Sequence, residues 1–436
     1  MVKLTEFEQR MLDGEMGPFQ QRAIQKIVDY ANALGAQELC TVTKATVYFG
    51  YHPYLDAVKS DDYDEIFSKM VLCDHSGRIY PLGKFSDECF AQTCVAPCDH
   101  NCYKPVGVSK EVFEKNRRFL DLTLKAGVSI AGSCTPYLSG WLPMRGEHFV
   151  STESSNILFC NSVLGACANA DGLEASAWSA ICGRTPLWGN HILENRYATH
   201  VVEVQCPSST PLDWDIMGHA LGRLLTDGNA RPVLTGNFSR PDIIRLKKFF
   251  SSLATTSGCE ICHIVGSTAE APTLEAALAG HQPQKHLVLS QQEYDKSLSS
   301  VCDPGGGPVE LVALGCPHYT LQEIRDVARL LEGKKVAPNV NLQVWTDMTM
   351  QHLAQVNGYA QVIEAAGAHL LNSSCPMVAA RTAYDCVTNG FAADGAKQSH
   401  YVHTDLNAKN CKVYYGTMEQ CVQAAIQGRW EEANHG

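Results

Sequence analysis

Apolar positions along the chain switch between helical and extended spacing. Phe7, Met11, Ile24, Ile27, Tyr30 and Ala31 recur at helical intervals and Gly35 follows as a stop, so residues 5–35 predict helix. Residues 41–49 are β-branched and aromatic and predict a strand. Residues 85–105 are irregular and Cys-rich. Residues 110–126 form an amphipathic helical pattern closed by Gly127. Residues 128–192 are rich in Gly, Ser, Asn and Pro, which suits backbone-lined loops between short elements. Beyond residue 200 the pattern becomes regular. Predicted strands at 200–204, 262–265, 286–289, 309–313 and 341–345 alternate with predicted helices at 214–225, 243–253, 273–279, 318–331 and 350–366. Strands alternating with helices imply an α/β fold with mostly parallel sheets. The run Asp303–Gly307 predicts a flexible turn and a joint.

Composition narrows the picture. A chain of 436 residues with 45% hydrophobic content supports two or three packed subdomains. The net charge of -11 argues against nucleic acid as a partner, because phosphate binding needs clustered Lys and Arg. There is no apolar run of about 18 residues, so no membrane span is expected. The opening MVKLTEFEQRMLDG lacks an apolar signal region, and the expected compartment is the cytoplasm. The 19 cysteines are an odd count in a large chain, which argues against a disulfide framework. Cys40, Cys160, Cys182 and Cys386 stand in apolar contexts and are assigned to the core.

Three cysteine groupings compete as metal sites. Cys94, Cys98 and Cys102, with Cys89 upstream and His100 between them, have a spacing that fits neither a zinc knuckle nor a ferredoxin run. Cys259, Cys262 and His263 match the haem-attachment pattern. Their apolar setting and the missing export signal predict a buried strand and no haem. The third grouping is dispersed: Cys134 in SCTPY, Cys316 in GCPH and Cys375 in SSCP. Each falls in a loop beside a predicted strand end or helix start. A Pro after Cys316 and after Cys375 suits a helix start, and a helix N-terminus would lower the Cys316 pKa. Three cysteines from distant loops suit a cluster with one iron open to substrate.

Longer blocks carry a resemblance. SCTPYLSGWLPMRGEHFVSTESSNILFCNSVLGA, CGRTPLWGNHILENR, VGSTAEAPTLEAAL, ALGCPHYTLQEI and YYGTMEQCVQAA resemble, in order and separation, the aconitase X family from near residue 1 to near residue 428. The resemblance implies an aconitase-like multi-subdomain α/β fold, with mostly parallel sheets around a central cluster cleft and approximate subdomains 1–195 and 196–436. It implies an iron–sulfur hydro-lyase acting on cis-3-hydroxy-L-proline or mevalonate 5-phosphate. It places Cys134, Cys316 and Cys375 on the Cys-bearing motifs that hold the cluster. It also implies a separate small swivelling subunit, since nothing in the chain resembles that domain. That subunit would close the cleft over the three cysteine loops and supply the catalytic base.

The chain departs from the family pattern at Cys167-Ala-Asn-Ala170, where relatives carry an Arg-Thr-Asn-Arg-like run. Bidentate Arg is the natural clamp for phosphate, so the loss favours a hydroxyproline-like substrate. Trp345-Thr-Asp347 and Ser373-Ser374 also depart. The same losses keep open a non-catalytic cluster-binding descendant. In the matched loops, Glu147, His148, Asn161, Ser162, Arg184, His318 and Lys397 are the candidate substrate-binding residues. Five of them also have a structural alternative: a closed turn for Glu147 and His148, a partner acid such as Glu194 for Arg184, a helix cap for His318, a solvated side chain for Lys397.

Overall fold

The computed structural model describes residues 1–49, 60–74, 76–96, 98–375, 377–379 and 387–432. Pro376 and Cys386, to which sequence assigns a helix start and a core position, lie outside the described residues.

Three parallel sheets organise the molecule. The first has the order Phe90–Thr93, Lys44–Val47, Phe149–Ser151. The second runs His263–Ile264, Pro232–Gly236, His200–Val204, Lys285–Leu289. The third runs His369–Leu371, Asn341–Trp345, Leu311–Leu314, Gly390–Ala393, Lys412–Tyr415. Each is built from crossovers that cover its strands with helices, which explains uniformly apolar strands such as Leu311–Leu314, buried throughout. Each sheet has its own hydrophobic cluster. Two antiparallel pairs complete the set: Leu39–Thr41 with Arg184–Pro186, and Gly307–Pro308 with Arg429–Trp430.

Several elements differ from the sequence expectation. The helix expected over 5–35 is two, Glu6–Leu12 and Pro18–Leu34, because Gly14 and Gly17 take positive φ between them. The loops expected over 128–192 include the helices Ser154–Phe159 and Gly172–Cys182. Every residue from Ser176 to Cys182 is buried, so that helix has no polar face to give it a period. The helix expected from His318 begins at Leu321, where Thr320 forms a capping box with Glu323. The helix expected over 350–366 breaks at Gly358, which has φ 80°.

The second and third sheets are joined through buried charge. Lys248, on the helix Ile243–Thr256, reaches Asp394 Oδ2 at 2.9 Å and Asp215 Oδ2 at 3.9 Å. Tyr319 and Tyr415 donate to the same two carboxylates at 2.7 and 3.0 Å. Lys247 pairs with Glu323 at 3.0 Å. Each of these buried charges is ion-paired, the condition under which buried charge is tolerated.

Candidate active site

In parallel α/β sheets, ligands bind beyond the carboxyl ends of strands. Two of the sheets aim those ends at one cleft. From the first sheet, Phe90–Thr93 is followed by Cys94, and Phe149–Ser151 by Thr152 and Glu153. From the third, Leu311–Leu314 leads to Cys316, His369–Leu371 to Cys375, and Gly390–Ala393 to Lys397. The second sheet's domain adds Ser251 from its helix. The cleft encloses about 350 Å³ and is lined by Cys134, Cys316, Cys375, Glu153, Lys397 and Tyr401, among others.

The three cysteine loops approach closely because glycines permit it. At Gly132 (φ 60°) a Cβ would lie 2.4 Å from Ser373 Cα, which brings the Cys134 loop against the Cys375 loop. At Gly395 a Cβ would lie 2.2 Å from the Cys316 carbonyl oxygen. His318 ties the loops together. Its Nε2 donates to the Ser374 carbonyl, so its Nδ1 accepts from Ser133 Oγ at 3.2 Å. Ser133 and Ser374 each precede a cleft cysteine, and His318 is two residues beyond the third. Burial lowers the His318 pKa and favours the neutral ring that this pattern requires.

Burial pushes the thiols of Cys134 and Cys316 up to about 12, and that of Cys375 well above its ordinary value, with the neighbouring cysteines adding to the Cys375 shift. The lowered Cys316 pKa expected from a helix N-terminus is therefore corrected. The thiol is buried, and the helix starts five residues on, at Leu321. Lys397 is paired with Glu153 at 3.6 Å. Burial opposes its charge, but Glu153, Cys316 and Cys134 outweigh burial and hold its pKa above the ordinary lysine value.

The donor set fits a metal cluster. Three thiols face one small space, and all three cysteines are free of disulfides. The buried Ser251 Oγ and Ser374 Oγ have no hydrogen-bond partner among the described residues.

Of the sequence candidates, Lys397 lines the cleft and His318, fully buried, holds its loops. The other five do not line it. Glu147 pairs with Lys44 at 2.9 Å and accepts from Thr43 at 2.8 Å. His148 contacts His191. Asn161 bonds Ala168 and the Glu260 carbonyl, and Ser162 accepts from the Cys262 amide. Arg184 binds Glu8 at 3.0 Å and Glu88 at 2.8 Å. The cysteines of the first grouping separate: Cys94 packs with Cys134 and Cys375, Cys98 and Cys102 share another cluster, and Cys89 sits in the first core. Cys262 and His263 are buried, with His263 opening a strand and its Nε2 bonded to the Arg196 carbonyl. Glu153 is absent from the sequence candidates. Its run STESSN reads as a polar helix start, and only the strand before it signals a cleft.

Fold and cleft together define a three-sheet α/β protein that gathers buried thiols where the strand ends of two sheets meet. The chain belongs to the aconitase X family: family profiles match the aconitase X first domain at residues 1–194, second domain at 198–299 and third domain at 309–427. The Asp303–Gly307 turn falls between the last two. The phosphomevalonate dehydratase large subunit of Methanothermobacter thermautotrophicus is 28% identical over 92% of this chain and 94% of its own. The cis-3-hydroxy-L-proline dehydratase of Pseudomonas aeruginosa is 27% identical over 98% of this chain and 70% of its own. The crystal structure of Thermococcus kodakaraensis aconitase X in its holo-form superposes with a TM-score of 0.80 at 25% identity, covering 97% of this chain and 100% of that one. Among the described residues, no helix is long and apolar enough to cross a membrane.

Proposed function

We propose that the chain is the large subunit of an iron–sulfur hydro-lyase that removes water from a small hydroxy acid, with cis-3-hydroxy-L-proline or a close analogue as substrate. The observation that carries this reading is the convergence of Cys134, Cys316 and Cys375 on one buried cleft beside Lys397. A cluster held there supplies a Lewis acid for the departing hydroxyl. Lys397 binds the substrate carboxylate, and Glu153 holds the ammonium in position. The cleft walls keep bulk water from the charge that develops during elimination. Relatives named as large subunits support a separate small subunit closing the cleft and bringing the base. The half-exposed Tyr401 at the rim offers it an apolar contact.

The substrate preference rests on charge. Among the described lining residues Lys397 is the sole cation, and a carboxylate already faces it. One offset cation suits an amino acid better than a phosphorylated hydroxy acid. The names of the large-subunit relatives favour the second reading, mevalonate 5-phosphate. The test is an anaerobic preparation with the co-expressed small subunit, assayed on both substrates. Cys316→Ser is expected to remove the visible cluster absorbance and all turnover. A full cluster in that variant refutes the cysteine assignment, turnover of the phosphate alone refutes the substrate choice, and a loaded cluster without turnover of any hydroxy acid refutes the enzyme reading.

A further inference from the structure

A second group of metal-ligating side chains lies away from the cleft. Cys40, His148 and His191 bring one donor atom each within 4.8 Å of one another. Three separate elements position them. Cys40 is central in the strand Leu39–Thr41, which pairs with Arg184–Pro186. His148 immediately precedes the strand Phe149–Ser151 and bridges to Cys167. His191 ends the short turn Gly189–His191. His148 is therefore at the amino end of the strand whose carboxyl end leads to Glu153, five residues and about 16 Å on at ~3.3 Å per extended residue.

The geometry points to a structural zinc site formed by Cys40, His148 and His191. The two imidazoles approach with Nδ1 atoms 3.1 Å apart. Tetrahedral zinc with nitrogen ligands at ~2.0–2.1 Å spaces two of them about 3.3 Å apart. His191 is almost wholly buried, which shields the site from bulk water. Arg196 is the nearby cation, and Glu270 neutralises it at 2.8 Å. Soft sulfur with imidazole selects zinc over magnesium or calcium. Binding releases the Cys40 proton to solvent and replaces the weak Sγ–Thr185 carbonyl contact of 3.6 Å. The site pins the strand pair and the segment leading out of the first domain, a stabilising rather than a reacting role.

The test uses the full chain and cobalt(II) as a spectroscopic substitute for zinc. The wild type is expected to carry about one equivalent of zinc at this site. Its cobalt form should show tetrahedral ligand-field bands and a thiolate charge-transfer band. The cleft variant Cys316→Ser should keep both bands. Cys40→Ser should lose the charge-transfer band, and the volume-matched His191→Gln should lose the metal while keeping native circular dichroism. A chelator should lower the melting temperature of wild type and leave that of His191→Gln unchanged. The proposal is overturned if zinc content and cobalt spectra are the same in wild type and His191→Gln, if Cys316→Ser alone abolishes them, or if the wild type takes up neither metal.

Discussion

Replacing His318 by Ala tests whether one buried ring holds the cleft together. The substitution removes two hydrogen bonds, to Ser133 Oγ and to the Ser374 carbonyl. It leaves that carbonyl unsatisfied and opens a cavity at a fully buried position. The lost bonds, the stranded acceptor and the cavity sum to roughly 3–5 kcal/mol. Most of this falls on the local opening of the loops carrying Cys134 and Cys375, because both bonds end there. At 1.4 kcal/mol per tenfold, opening-limited thiol labelling should rise between about a hundredfold and a few thousandfold. The assay is timed alkylation of the metal-free chain, with peptides of Cys134 and Cys375 quantified by mass spectrometry and that of Cys421, buried in the third core, as internal control. His318→Gln, which can restore the bond to Ser374, should fall between. Unchanged labelling at Cys134 and Cys375, or an equal rise at Cys421, would refute the reasoning.

Gly132→Ala should separate the Cys134 and Cys375 loops, since its Cβ would lie 2.4 Å from Ser373 Cα and φ is 60°; a loss of at least about 2 kcal/mol in urea unfolding is expected. Lys248→Met leaves Asp394 and Asp215 buried without their cation, and a destabilisation of about 3–5 kcal/mol should appear in the same assay. His219, buried against His400 at 3.0 Å and near Arg223, has its pKa lowered to about 3, first by burial. Between about pH 6.5 and that value the unfolded state binds the extra proton, so stability falls as pH falls. His219→Gln should flatten this slope by up to about 1.4 kcal/mol per pH unit, and urea midpoints at pH 7 and 5.5 would show it.

Much of the fold is legible where large apolar residues carry the pattern. The helices Lys110–Lys125 and Pro211–Leu224 and the strands His200–Val204 and Asn341–Trp345 stand close to their expected positions. The helix Gly172–Cys182 and the strand Gly390–Ala393 escape, because Gly, Ala and Ser make up most of them and carry little hydrophobic signal. The site divides in the same way. Cys134, Cys316, Cys375 and Lys397, picked out by their motifs, line one cleft. Arg184, Asn161 and Ser162 sit in equally distinctive motifs, yet their partners are structural, and a motif alone does not separate a residue that touches substrate from one that holds a loop. Cys167, read from sequence as a lost guanidinium, lies instead beside a thiol–imidazole group.

The cleft draws its thiols from two domains, Cys134 from the first and Cys316 and Cys375 from the third. Whatever binds all three therefore holds these domains in register and adds its binding free energy to their association. With the proposed iron–sulfur cluster as that binder, the lifetime of the protein would become a gauge of iron supply. Without it the domains would part more often and expose the segments between them to proteases.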